Sequence, residues 1–395
     1  MVFGKKIFAN IGVQWLENII VLMLRLVSFT IIVRSLTSAE LGKYSLVTNM
    51  VIFFVFLTDF GLDDTLVRTI SVKPKEGKNL LANLAVIKFT LALLSISLML
   101  ATVFILGYKP QVIKLAIIVS SVILFMAMIS VAVAYFRINL RMKYVSAANV
   151  TAAVVFTTLV IIISVSAGNL WQYTLAWVLS QFVNLLVIAY LFLRFRPFEW
   201  EGFDFVNWRL LFAAAIPLGL AYFLSNIYAS IDIIILSLLA GFKATGVYST
   251  AYKLIHVGVV FPYTFVNTFY PMMGKYWQED RELFKKYFQQ AFNYLNLMAW
   301  PLVASIWLLA PKIMSVMFKK QEYIDGAIAL QLLSIALGLM FLSILVAFSL
   351  AASNQQKKAL ILSLIGVLVN IGLNIIFVPA YGYLATSVVT IVTEL

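Results

Sequence analysis

The sequence contains no cysteine and a single histidine, His256. Without cysteine there are no disulfides, no thiolate metal ligands and no cysteine nucleophile. One histidine excludes every metal site or relay that needs two. Charge is also scarce: 11% of the 395 residues are Asp, Glu, Lys or Arg, where a soluble domain carries about a quarter. The apolar share, 63%, is too high for a surface in water. A chain of this composition uses lipid as solvent for most of its length, and the class it predicts is all-α integral membrane.

The little charge present is unbalanced. Lys and Arg total 29 against 16 Asp and Glu, a net charge of +13. In a soluble protein that excess points to nucleic acid; in a membrane protein it first reflects loops held on the cytoplasmic side. A spanning helix needs about 20 mostly apolar residues. Such stretches lie at 11–33, 44–62, 80–107, 113–136, 145–167, 171–193, 210–239, 247–273, 289–310, 326–350 and 359–378. A twelfth opens near Leu384 and is still apolar at Leu395. The expectation is therefore about 12 transmembrane helices, the last one incomplete in a truncated C-terminus. The gaps between spans leave no room for a separate soluble domain.

Lys5 and Lys6 precede the first apolar run, as in a signal peptide. The run is long, contains Glu17 and Arg25, and lacks a small-residue cleavage site, so it reads as a retained first helix. With the N-terminus in the cytoplasm, 18 loop cations fall inside and 8 outside, the bias expected of a multi-pass protein of the cytoplasmic membrane. Most of the positive charge is thus topology, with no nucleic-acid partner implied. The connection EDRELFKKYFQQAF (279–292) places Phe284, Tyr287, Phe288 and Ala291 on one face and charges on the other, a pattern suited to a helix lying in the membrane interface.

Shifting the chain by 204 residues aligns Gly42-Lys43-Tyr44-Ser45 with Gly246-Val247-Tyr248-Ser249. A long helix precedes and another follows each copy. Six spans separate them, so the two halves, 1–204 and 205–395, have the same orientation. Parallel repeats with a site between the halves are a transporter plan.

Three cations lie within spans: Arg25, Lys88 and Lys253. A charge at the bilayer centre costs roughly 2.5–3.5 kcal/mol, so it faces a cavity or a partner. Lys88 and Lys253 are near enough to span ends to snorkel; Arg25 is near the middle of its helix. Gln14, Asn18, Arg25 and Ser28 share a helical stripe that Glu17 widens. In the eighth span Tyr252, His256, Tyr263, Asn267 and Tyr270 share a face, with Lys253 at its margin. The seventh carries Tyr222, Asn226 and Ser230 on one side and Ser225 with Asp232 on another; in the eleventh Ser363, Asn370 and Asn374 align. Singly, such residues also glue helices together. Pro217 with Gly219, Pro262, Pro271 and Pro301 are potential bending points.

Several segments, taken in order, resemble the bacterial polysaccharide flippases. They are ENIIVLMLRLVSFTIIVRSLTSAELGKYSLV, DFGLDDTLVR, IPLGLAYFLSNIYASIDIIILSLLAG with TGVYSTAYKL, and NQQKKALILSLIGVLVNIGLNIIFVPAYGYLATSVVTIVTEL. These flippases export O-antigen and capsule repeat units and belong to the multidrug/oligosaccharidyl-lipid/polysaccharide superfamily. The resemblance implies two six-helix bundles forming a V around a central cavity. It implies a cargo of undecaprenyl-pyrophosphate-linked oligosaccharide moved from the inner to the outer leaflet, for lipopolysaccharide or capsule synthesis alongside glycosyltransferases and a polymerase. The family's cationic lumen suits a pyrophosphate, and Arg25, Lys253 and Lys88 are the positions that supply it here. Asn18, Asn226, Tyr252, His256 and Tyr263 would line the sugar cleft, and Glu17 or Asp232 would bind a coupling proton or sodium ion.

Two alternatives within the superfamily are a multidrug/cation antiporter, which would want acidic residues in its cavity, and a lipid II flippase. A membrane-embedded glycan-processing enzyme is a different class. Asp59, Asp63 and Asp64 would hold Mg²⁺ in such an enzyme, but the sequence has no second acidic cluster to face them. No catalytic residue, cofactor or resident metal is expected.

Overall fold

The computed structural model describes residues 2–72, 77–195, 202–203 and 205–395. Expectations placed on the side chains of Lys5, Lys6, Lys73, Lys75, Lys78, Arg196, Glu199, Glu201, Asp204, Pro217 and Ser225 lie outside the described residues.

The described chain is helical. Its long elements are α1 (Val2–Ser35), α2 (Ser38–Val55), α3 (Leu62–Val72), α4 (Gly77–Ile105), α5 (Pro110–Ile138), α6 (Lys143–Val165) and α7 (Leu170–Leu193). They continue with α8 (Phe205–Leu239), α9 (Gly241–Glu279), α10 (Arg281–Phe318), the short α11 (Gln321–Ile324), α12 (Ala327–Ala352), α13 (Gln356–Tyr381) and α14 (Tyr383–Glu394). Each apolar stretch read from the sequence falls mainly on one of these helices, except that 44–62 leaves α2 at Val55 and runs through a break to the start of α3. In lipid that outcome is forced, because an α-helix satisfies its backbone hydrogen bonds within itself. Among the described residues, ten helical stretches are long and apolar enough to cross a membrane. α9, at 39 residues, is long but carries more of the polar candidates than any other helix, and α14 is 12 residues long.

One local expectation is corrected. Residues 281–292 are the opening turns of the continuous 38-residue α10. The helix starts at Asp280, whose carboxylate accepts from the backbone N–H of Glu282 and Leu283 at 3.0 Å. Nothing between that cap and Pro301 breaks the helix.

Two compact units emerge: residues 1–36 with 47–226, and residues 37–46 with 227–395. In the first, α1 packs on α6, α6 on α7, and α5 on α4 and α7. The apolar core at one end of this unit gathers Leu66, Leu84, Phe136, Ala148, Ile188 and Trp208. In the second, α12 is the central element, packed by α9, α10 and α14, and α13 lies against α14.

The internal repeat has a physical consequence inside the second unit. A Cβ at Gly42 would overlap the carbonyl oxygen of Phe242, and a Cβ at Gly246 would overlap that of Ser38. Gly42 and Gly246 are 204 residues apart, and so are Ser38 and Phe242. The contact is therefore reciprocal, as a local two-fold requires, and only glycine lets the two helix starts approach this closely. Glu322 of α11 secures the same place, accepting from the backbone N–H and hydroxyl of Ser38 at 3.0 and 2.6 Å.

Candidate functional site

The polar residues inside the spans separate into partnered networks and an open face, unit by unit. In the first unit α2 stops at Val55, and Phe60 and Gly61 take left-handed backbone before α3 begins. This break brings Asp59 and Asp63 to Lys88 of α4, whose Nζ lies 3.0 and 2.7 Å from their carboxylates. Lys88 also donates to Ser130 of α5 at 2.6 Å. The lysine has no exposed surface. It does not snorkel as the sequence implied, because its counter-charges lie beside it in the interior. Asp64, the third carboxylate of the segment, pairs with Arg137 and accepts from the Tyr222 hydroxyl at 3.0 Å. All three carboxylates that a metal-dependent enzyme would need are thus engaged by protein groups. Among the described residues no cluster of three metal-ligating side chains exists.

The polar stripe of α1 splits. Glu17 accepts from Ser146 and from Asn149 (2.6 Å) of α6, and Asn149 in turn accepts from Asn184 of α7 at 3.2 Å. Ser28 is buried and donates to Thr157 at 2.9 Å. These residues glue α1 to α6. Asn18 and Arg25, seven residues apart and so on one face, are exposed. Arg25 makes no ion pair or hydrogen bond among the described residues. Glu17 lies eight residues away, about 12 Å along the helix axis. Asn226, at the end of this unit, donates to the carbonyl of Tyr222 at 2.9 Å.

The second unit brings together residues that the sequence separates by more than 140 positions. Asp232 of α8 is 3% exposed. It accepts from Asn374 of α13 at 3.0 Å, from the Tyr248 hydroxyl of α9 at 3.1 Å and from Thr390 of α14 at 3.3 Å. Asn374 also donates to Asn370 at 3.1 Å. No cation takes part in these bonds, so the carboxylate is held by neutral donors alone. Two buried oxygens in the same region, Asn374 Oδ1 and Thr386 Oγ1, have no hydrogen-bond partner. Thr386 is one helical turn from Thr390.

α9 contributes the other candidates. Lys253 lies 5.7 Å from the ring centre of Tyr44, a cation–π contact that partly compensates its charge. The His256 ring meets the Tyr252 ring edge-on at 4.3 Å, and Tyr252 stacks on Tyr248 at 5.4 Å. His256 itself is exposed, as are Tyr263, Asn267 and Tyr270 along the same face. Sequence reasoning missed Glu394 of α14, which accepts from Tyr228 at 2.8 Å and from Ser343 at 2.7 Å. It ends an apolar run, with no polar periodicity to announce it.

Ten helical stretches among the described residues are long and apolar enough to cross a membrane, which makes this a multi-pass membrane protein, and its fold is that of the following solved structures. A multidrug resistance MATE family transporter in an inward-facing conformation superposes with a TM-score of 0.77 at 20% identity, covering 94% of this chain and 92% of the other. The lipid II flippase MurJ in an inward closed conformation also gives 0.77, at 15% identity over 98% of this chain and 85% of its own. A superfamily transporter from Pyrococcus furiosus gives 0.64 at 19% identity, over 98% and 91%. At the sequence level residues 7–277 match the family described as polysaccharide biosynthesis protein, and residues 217–376 match the MatE family. A search of curated protein sequences gives no match. The first match covers more than half of the chain, and the protein belongs to the polysaccharide biosynthesis protein family.

Proposed function

We propose that the protein flips undecaprenyl-pyrophosphate-linked oligosaccharide repeat units from the inner to the outer leaflet of the bacterial cytoplasmic membrane. It would do so by alternating access between two bundles, 1–204 and 205–395, with the N-terminus in the cytoplasm and in service of surface polysaccharide synthesis. The observation that carries this reading is the charge balance of the first unit. Glu17, Asp59, Asp63 and Asp64 all have direct partners, whereas Arg25 is exposed on α1 with no direct hydrogen bond or ion pair among the described residues, its one favourable charge being Glu17, which Ser146 and Asn149 already engage. A guanidinium without a direct partner favours an anionic cargo, and its planar fork suits a pyrophosphate. Lys253, beside the Tyr44 ring, is the second cation of this proposal. Asn18, Asn226, Tyr252, His256 and Tyr263 provide polar and aromatic surface for sugars.

Asp232 is the coupling-ion site in this scheme. Its shell of hydroxyl and amide groups fits a proton or a sodium ion, and its burial excludes anything larger. Glu17 is the weaker candidate, since Ser146 and Asn149 occupy it. The cation-antiporter reading draws support from Asp232 and Glu394, carboxylates without a cationic partner among the described residues. Among the described residues of the first unit, every carboxylate it would need has a partner.

The test uses the native host with the gene deleted, then restored as wild type or Arg25→Ala. Deletion is expected to remove surface glycan and to accumulate the lipid-linked repeat unit on the inner face. Arg25→Ala should do the same at normal membrane levels. Unchanged glycan pools with raised sensitivity to cationic drugs would replace this reading with the antiporter.

A further inference from the structure

Resting on the flippase reading, we infer that Glu394, with Tyr228, Ser343, Tyr263 and Tyr270, forms a glycan-recognition subsite within the second unit, in which the carboxylate accepts hydrogen bonds from sugar hydroxyls. Glu394 is half-buried. One of its oxygens accepts from Tyr228 and the other from Ser343, and the Tyr228 hydroxyl also meets Thr393 at 2.9 Å. An ionised carboxylate offers about four acceptor positions, so half remain for a ligand. No lysine, arginine or histidine among the described residues pairs with it.

Two open aromatic faces belong to the same unit. Tyr263 is 47% and Tyr270 38% exposed, seven residues apart on α9 and so on one side of it. Both are braced edge-on by Phe348, at 6.0 Å and 72° and at 5.7 Å and 88°. Phe348 and Ser343 are five residues apart on α12, about 7.5 Å of rise, which ties the rings and the carboxylate to one short stretch of helix. Tyr263 is within electrostatic range of Glu394.

This set matches a sugar chain and no other part of the cargo. Sugars present adjacent hydroxyl donors for a carboxylate and C–H faces that lie against rings. A pyrophosphate has no donor to offer and is repelled by the charge, and a prenyl tail has neither a donor for the open acceptor positions of the carboxylate nor a charge to meet it. An organic cation would use the charge and the rings but brings no run of adjacent hydroxyl donors to the open acceptor positions of the carboxylate.

The experiment compares two lipid probes on purified protein in nanodiscs: undecaprenyl pyrophosphate alone, and the lipid-linked repeat unit extracted from the deletion strain. Glu394→Gln keeps the side-chain shape, and its thermal unfolding is measured alongside. The expected result is about tenfold weaker binding of the repeat unit, about 1.4 kcal/mol, with unchanged binding of undecaprenyl pyrophosphate. Tyr263→Ala should lower the same affinity, whereas Arg25→Ala should weaken both probes. If Glu394→Gln binds the repeat unit as wild type does, the subsite is wrong and the flippase reading stands. If wild type binds neither lipid, both fail. If wild type binds ethidium and Glu394→Gln does not, the carboxylate serves a cationic cargo and both are overturned.

Discussion

In the first unit Lys88, fully buried, lies between Asp59 and Asp63; in the second Asp232, almost as buried, meets only hydroxyls and amides. Both arrangements satisfy hydrogen-bonding groups, but only the first supplies an opposite charge. A buried charge whose counter-charge is another side chain of the protein needs nothing from outside, and removing either partner strands the other at low dielectric. A carboxylate ringed by neutral donors has no counter-charge from the protein. The first cluster therefore holds the broken α2–α3 segment to α4 and α5, and the second is the place proposed above for a coupling ion.

Replacing Lys88 with Met should have the largest effect, about 3–5 kcal/mol of stability lost, because two carboxylates are then left uncompensated. Thermal unfolding of the purified protein measures it. Adding Asp59→Asn and Asp63→Asn to that variant should restore most of the loss, and a triple variant as unstable as the single one would contradict the charge argument. Next come Gly42→Ala and Gly246→Ala, each expected to cost about 1–3 kcal/mol from overpacking. Because the contact is reciprocal, the two should be similar in size, and a clear inequality would argue against the local two-fold.

Asp232→Asn should cost about 1 kcal/mol or less, since the amide keeps one acceptor and the shell around it consists of groups that can donate or accept. Its diagnostic effect lies elsewhere. Sodium or proton concentration should shift the unfolding temperature or transport rate of wild type and leave Asp232→Asn unresponsive. A variant that responds like wild type would remove Asp232 from the coupling scheme. Smallest of all, Ser28→Ala should lose about 0.6 kcal/mol, the worth of one interhelical hydrogen bond in a membrane.

Much of the fold was legible in the residues. The apolar stretches marked their helices because lipid leaves a spanning segment no other way to satisfy its backbone, and the glycine repeat at 42 and 246 pointed to a real packing contact. The site was legible only in pieces. Asp232 and the pair Asn370–Asn374 stood out on separate spans, but nothing in their spacing said that they meet. Lys88 read as a snorkelling cation because its partners are more than 20 residues upstream, beyond a helix break that periodicity cannot see. Glu394 stayed hidden for the opposite reason: a single carboxylate after an apolar run carries no pattern.

Composition and period therefore settled, without coordinates, that the chain crosses a membrane many times as helices, because those properties depend on transfer from water to lipid and on hydrogen bonds local in sequence. Which charges are neutralised, which are left short of a partner and which polar faces stay open was decided by tertiary structure alone. Those properties depend on pairs such as Lys88 with Asp63, Asp232 with Thr390 and Glu394 with Tyr228, each joined across tens to more than a hundred residues by helix packing that no local pattern encodes.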